Sequence, residues 1–127
     1  MEGFEERTVV FSLQYVIDTD NIYNYGKEIF GENQAQKYES IIDKITTELA
    51  ISYWMYPECR FIPTKGHLYR NIILESHLII YRVKTERIKV LRVIHSQSSI
   101  SHIRSVRKIK IQLPVLPIIQ DLKRHLL

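Results

Sequence analysis

Residues Leu78 to Ser96 read LIIYRVKTERIKVLRVIHS, two runs of β-branched and aromatic residues either side of a polar Lys84-Thr85-Glu86-Arg87 break. Period-two alternation flanking a short polar break is the pattern of a β-hairpin. With Thr85 and Glu86 at the tip, Val83 lies opposite Ile88, Tyr81 opposite Val90, and Ile79 opposite Arg92. These pairs share one face, which is apolar except at Arg92. The opposite face carries Lys84 and Arg87, then Arg82 and Lys89, then Ile80 and Leu91, then Leu78 and Val93. It is cationic near the turn and apolar further in, as a docking surface would be. His95 closes the run.

The rest of the chain supplies elements to cover such a sheet. Arg7 to Val16 (RTVVFSLQYV) has strand composition, with Val9, Phe11 and Leu13 alternating against Val10, Ser12 and Gln14. Asp18 to Gly31 then reads as a helix, capped by Asp18, Thr19 or Asp20, with Ile22, Tyr25, Ile29 and Phe30 as its apolar stripe and Gly31 as its terminating glycine. A second helix follows an Asn33 cap, with Ala35, Tyr38, Ile42, Ile45 and Leu49 along one face. With Gly31-Glu32 as the connection, the two helices are expected to form an antiparallel hairpin.

Periodicity fades from Ile51 to Gly66, where Tyr53, Trp54 and Tyr56 precede Pro57 and the spacing predicts a loop with aromatics packed over the helix–sheet junction. His67 to Leu74 reads as a further strand, making a three-stranded meander with the hairpin. Beyond Ser96, Ile100, Ile103 and Val106 fit a short helix, residues 108–113 alternate like a strand, and Ile118 to Leu127 fit a terminal helix after Pro117.

The expected architecture is α+β: an N-terminal strand, a helical hairpin and a three-stranded antiparallel meander, in one domain over residues 1–103. Residues 104–127 form a C-terminal extension. A chain of 127 residues is long enough for one such core. The lone Cys59 allows no internal disulfide, and the acidic start MEGFEERT is unlike a signal peptide, so the expected location is the cytoplasm. No run of apolar residues is long enough to span a bilayer.

Charge is polarised along the chain. Residues 1–58 hold 11 acidic and 4 basic side chains, whereas residues 59–127 hold 3 and 14. A net of −7 against +11 suits either a polyanionic or acidic partner on the second half, or an acidic helical layer neutralising a basic sheet within one domain.

The order of elements, with the helix run IYNYGKEIFGENQA (Ile22 to Ala35), Pro57 closing the helical hairpin, the strand LYRNI (Leu68 to Ile72) and the hairpin end IIYRV…RIKVLRVIH (Ile79 to His95), resembles the RelE/ParE toxin superfamily. Within it the chain is most similar to ParE-type, plasmid-stabilisation toxins of type II toxin–antitoxin systems, over about residues 8–100. The resemblance implies a small protein neutralised by a cognate antitoxin, whose tail wraps the toxin and often adds a strand at a sheet edge. ParE-like members act on DNA gyrase by binding; RelE-like members cleave mRNA on the ribosome.

Two positions speak against the nuclease branch. RelE-like nucleases commonly carry arginine three residues before the tyrosine of the hairpin's first strand, where this chain has Leu78. They also carry basic residues after the last strand, where it has Ser96-Gln97-Ser98. The expectation is therefore a gyrase inhibitor rather than an enzyme, with an mRNA endoribonuclease and a degenerate, non-toxic binding module as the alternatives.

Metal-free RNA cleavage needs a proton acceptor, a proton donor and cations for the phosphate. The candidate catalytic residues are His95, Arg70, Arg82 and Arg92. For antitoxin or target binding the candidates are Leu78, Ile80, Leu91, Val93, Arg82, Lys84, Arg87 and Lys89. Leu78, Ile80, Leu91 and Val93 need a cover: the C-terminal extension, a second copy in a homodimer, or the antitoxin. His67, His77, His95 and Cys59 lack zinc-finger spacing, so no metal and no cofactor are expected.

Overall fold

The computed structural model describes residues 5–111, which form β1 (Thr8–Phe11), α1 (Leu13–Phe30), α2 (Glu32–Ser52), β2 (Tyr69–Ile73), β3 (His77–Val83), β4 (Arg87–His95), α3 (Ile100–Ser105) and a closing 3-10 turn at Val106–Lys108. The four strands make one sheet in the order β1-β4-β3-β2. β2, β3 and β4 form the antiparallel meander, and β1 joins its other edge parallel to β4, pairing Thr8 with Arg87 and Phe11 with Val90. The helical hairpin connects β1 to the far edge of the sheet and lies across one face, as its apolar stripe requires.

The first strand is shorter than its composition suggests. Ser12 ends it by accepting a hydrogen bond from the Tyr15 backbone N–H at 2.9 Å, which caps α1. The helix thus begins at Leu13, well before the Asp18–Asp20 caps expected from sequence. Its buried residues are Tyr15, Asp18 and Thr19, with Ile22 partly covered. Tyr25, Ile29 and Phe30, read from sequence as the core stripe, are exposed. Two polar residues, Asp18 and Thr19, hold core-facing positions, so the apolar period points to the wrong face.

Gly31 alone joins the two helices. Its φ of 92° and ψ of 164° lie in a region open essentially only to glycine. It also occupies the N-cap position of α2 in place of Asn33, and its carbonyl accepts from the Ala35 N–H. Further along, the Tyr15 hydroxyl bonds Thr46 at 3.1 Å and ties the start of α1 to the last third of α2.

The hairpin register departs from strict alternation at one place. Val83 pairs with Ile88 and Tyr81 with Val90, but Ile80 pairs with Arg92 and Ile79 with Val93. Leu91 is therefore the extra residue of a β-bulge, which shifts the face of everything after it. The shift removes the charged Arg92 from the position opposite Ile79 and puts Val93 there instead. The carbonyl of Leu91 accepts the Ser12 hydroxyl, so the cap of α1 also satisfies the bulge.

Both sheet faces are covered. Phe11, Tyr15, Ile42, Leu49, Tyr53, Ile72, Ile79, Tyr81, Ile88, Val90 and Val93 form the core beneath the helices. Tyr53, Trp54 and Tyr56 pack at this junction, where the Tyr81 hydroxyl donates to the Tyr53 carbonyl at 2.7 Å. On the second face, Ile80, Leu91 and Ile94 are sealed by Cys59 and Ile62 of the α2–β2 loop and by Ile103 and Val106. Residue 103, the expected domain limit, lies inside α3, and Val106 beyond it enters the same cluster. Residues 109–111 form no strand, and the expected terminal helix from Ile118 lies outside the described residues. No helix among the described residues is long and apolar enough to cross a membrane.

Candidate functional site

The bulge reorganises the candidate binding residues. Ile80, Leu91 and Val93, expected on an open face, are all buried, and Leu78 is half-buried. Val93 belongs to the helix-side core, while Leu78, Ile80 and Leu91 lie with α3 and the Cys59–Ile62 turn. Of the three possible covers, the chain's own segment after β4 occupies the place. Ile80, Leu91 and Val93 are therefore interior packing rather than a free docking face, with half-buried Leu78 at the margin of the second cluster.

The candidate catalytic residues do not converge. Arg70 donates to the carbonyls of Trp54 at 3.2 Å and Tyr56 at 2.8 Å, so it braces the aromatic turn after α2. Arg92 is held by Asp18 through two parallel bonds of 2.8 Å, from Nε and Nη2, and the same carboxylate accepts from the Val93 N–H at 3.0 Å. Asp18 on α1 thereby clamps the bulged strand. Its hydrogen bonds hold the Arg92 guanidinium above even its ordinary pKa, so that cation stays charged and engaged. Arg82 lies over the Tyr69 ring, 5.2 Å from its centroid.

His95 stands at the exposed end of β4, its ring 5.8 Å from that of His77 in an edge-on arrangement. No sequence pattern supplies a partner for His77, yet it bonds the Tyr38 hydroxyl of α2 at 2.8 Å. The link spans 39 positions, and only the fold brings the two together. Burial, and then the neighbouring His95, lower the His77 pKa, while burial raises that of Tyr38. Such a pair holds a neutral imidazole in place. His67 bonds Glu58 at 3.1 Å on the surface, which helps hold that carboxyl below its ordinary range. Cys59 is buried with its thiol pKa raised, the state of an inert packing cysteine.

Arg82, Lys84, Arg87 and Lys89 do share a surface. Arg82 pairs directly with Lys89, and the Lys84 N–H bonds the Arg87 carbonyl at 2.9 Å across a two-residue turn. The four cations form two adjacent rungs on one face. Elsewhere, among the described residues, an exposed apolar row runs along α1: Leu13 at 61%, Ile17 at 42%, Tyr25 at 63% and Ile29 at 54% exposure, spaced in multiples of four residues. Such a row forms a ridge suited to packing against a partner.

A profile described as "ParE toxin of type II toxin-antitoxin system, parDE" matches residues 9–100. The chain belongs to the ParE toxin family. Among solved structures it is similar to a chain described as "Chromosomal ParDE TA system from P. aeruginosa", at 21% identity and a TM-score of 0.59. The match covers 71% of this chain and 96% of that one, and the two share the fold. No curated protein matches. Membership of the ParE family implies an antitoxin partner for this chain, and the α+β order expected from sequence is the one the fold carries.

Proposed function

We propose that this ParE-family protein inhibits DNA gyrase by binding it, and that a cognate antitoxin neutralises it by covering the exposed ridge of α1. The observation that carries the choice of binding over RNA cleavage is the engagement of Arg70 and Arg92. Arg70 holds two backbone carbonyls through Nη1, and Arg92 holds Asp18 through Nε and Nη2. A nuclease built on these groups needs them free for a phosphate. The ridge supports the antitoxin reading, because Leu13, Ile17, Tyr25 and Ile29 offer an amphipathic helix the spaced anchors that helix docking uses.

Purified protein added to gyrase and relaxed plasmid tests the target directly. Supercoiling should stop, and cells expressing the chain should form filaments with intact messages. Fragmented mRNA with normal supercoiling would establish the RelE-like reading instead, and unimpaired growth would establish a fold without toxicity. For the antitoxin, Ile17→Glu and Tyr25→Glu should each weaken capture of the cognate antitoxin by tenfold or more (about 1.4 kcal/mol). The folded baseline should stay unchanged, since both side chains are already solvent-exposed.

A further inference from the structure

Four cations are held together at the closed end of the β3–β4 hairpin. Arg82 and Lys89 are direct cross-strand partners, and Lys84 faces Arg87 one rung further out. Like charges directly opposite one another weaken a sheet. Here two such rungs are stacked, and none of the four pairs with a carboxylate among the described residues. Lys89 feels the crowding: after burial, the charges of Lys84, Arg82 and Arg87 lower its pKa. In addition, Nε of Arg82 is buried without a hydrogen-bond partner, although its Nη1 reaches the Tyr69 hydroxyl at 3.4 Å.

The chemistry of the patch selects its ligand. Protein–protein interface cores are depleted of lysine and built around buried apolar anchors, but the apolar residues next to this patch, Ile80 and Leu91, are already sealed inside the chain. Single-stranded nucleic acid is gripped by exposed aromatic platforms; the ring beside these cations, Tyr69, is only 6% exposed beneath Arg82. Closely spaced cations that have, among the described residues, no fully exposed apolar anchor or stacking ring beside them match regularly spaced phosphates on a rigid duplex. We propose that Arg82, Lys84, Arg87 and Lys89 bind the phosphate backbone of duplex DNA without reading its sequence. This inference does not depend on gyrase being the target.

Fluorescence anisotropy of the full chain with a labelled duplex of about 30 base pairs, across salt concentrations upward from about 50 mM, tests it. Binding should weaken steeply with salt, and Lys84→Gln with Lys89→Gln should flatten the log–log slope by roughly 2, or about 0.9 for each phosphate no longer neutralised. The pair Lys27→Gln with Lys44→Gln, on the helices, should leave both affinity and slope unchanged. Absence of binding at the lowest salt would overturn the proposal. An equal loss from the helical pair would overturn it too, because attraction would then follow net charge alone. Tighter binding of a single-stranded RNA of the same length would overturn the assignment to duplex DNA.

Discussion

Asp18 joins the helical layer to the sheet through three hydrogen bonds. Its carboxylate, 8% exposed, accepts from Arg92 twice and from the Val93 backbone once. An asparagine in its place offers one acceptor oxygen and one donor nitrogen, so at least one of those N–H groups loses its partner. Asp18→Asn should destabilise the fold by about 2–4 kcal/mol, read as a lower urea midpoint at unchanged m value. His77 makes a prediction in pH. Because burial lowers its folded pKa, the unfolded chain takes up the proton first. The stabilisation is therefore complete above the ordinary histidine value of about 6.5 and fades as pH falls through the lower folded value. Melting temperature should drop as pH falls below about 6.5, and His77→Gln should flatten that drop. An unchanged pH slope in the variant would place the titration elsewhere.

At the scale of elements, α1 illustrates how a helix can be legible while its orientation is not. The residues from Ile22 to Phe30 announce a helix, but the buried face runs through Tyr15, Asp18 and Thr19 to Gly26, which meets Ala35 of α2. A Cβ on Gly26 would stand 3.6 Å from the Ala35 Cβ, an ordinary van der Waals distance. Gly26→Ala should therefore raise stability by about 0.5–1 kcal/mol through helix propensity, measured as an increase in melting temperature. Loss of stability would mean that the two helices cross too closely for a methyl group. The hairpin gives the converse case. Its strands, turn and cationic rungs follow from alternation, whereas the bulge at Leu91 does not, and its one sequence signal is an arginine on an otherwise apolar face.

For the whole molecule, the two-sided sheet is the controlling fact. α3 and the turn after it are short, yet Ile103 and Val106 seal the face that carries Ile80, Leu91 and Ile94. Ile103→Ala should cost about 2–4 kcal/mol in chemical denaturation. A cost comparable to a surface substitution would mean that this segment only rests on the domain. The charge polarity along the chain becomes a polarity between layers. Asp20, Glu28, Glu32, Glu39, Asp43 and Glu48 lie on the helices, and Arg82, Lys84, Arg87 and Lys89 lie on the strands and their turn. Part of the sequence asymmetry is thus an arrangement within one domain. The four hairpin cations stand apart from it, grouped on one face with no carboxylate paired to them among the described residues.

The order of elements, the helical hairpin with its glycine connection, the three-stranded meander, the cationic turn and the family resemblance are all legible in the chain alone. All of these are local: alternation, helical spacing, a turn between matched runs. Folding in three dimensions settled which face of α1 is buried, that β1 pairs parallel to β4, that a bulge exchanges Arg92 for Val93, and that α3 covers Ile80 and Leu91. It also decided that Arg70 and Arg92 are braces. Those outcomes depend on partners far apart in the chain, such as Asp18 with Arg92 or Tyr38 with His77, whose meeting no local pattern encodes.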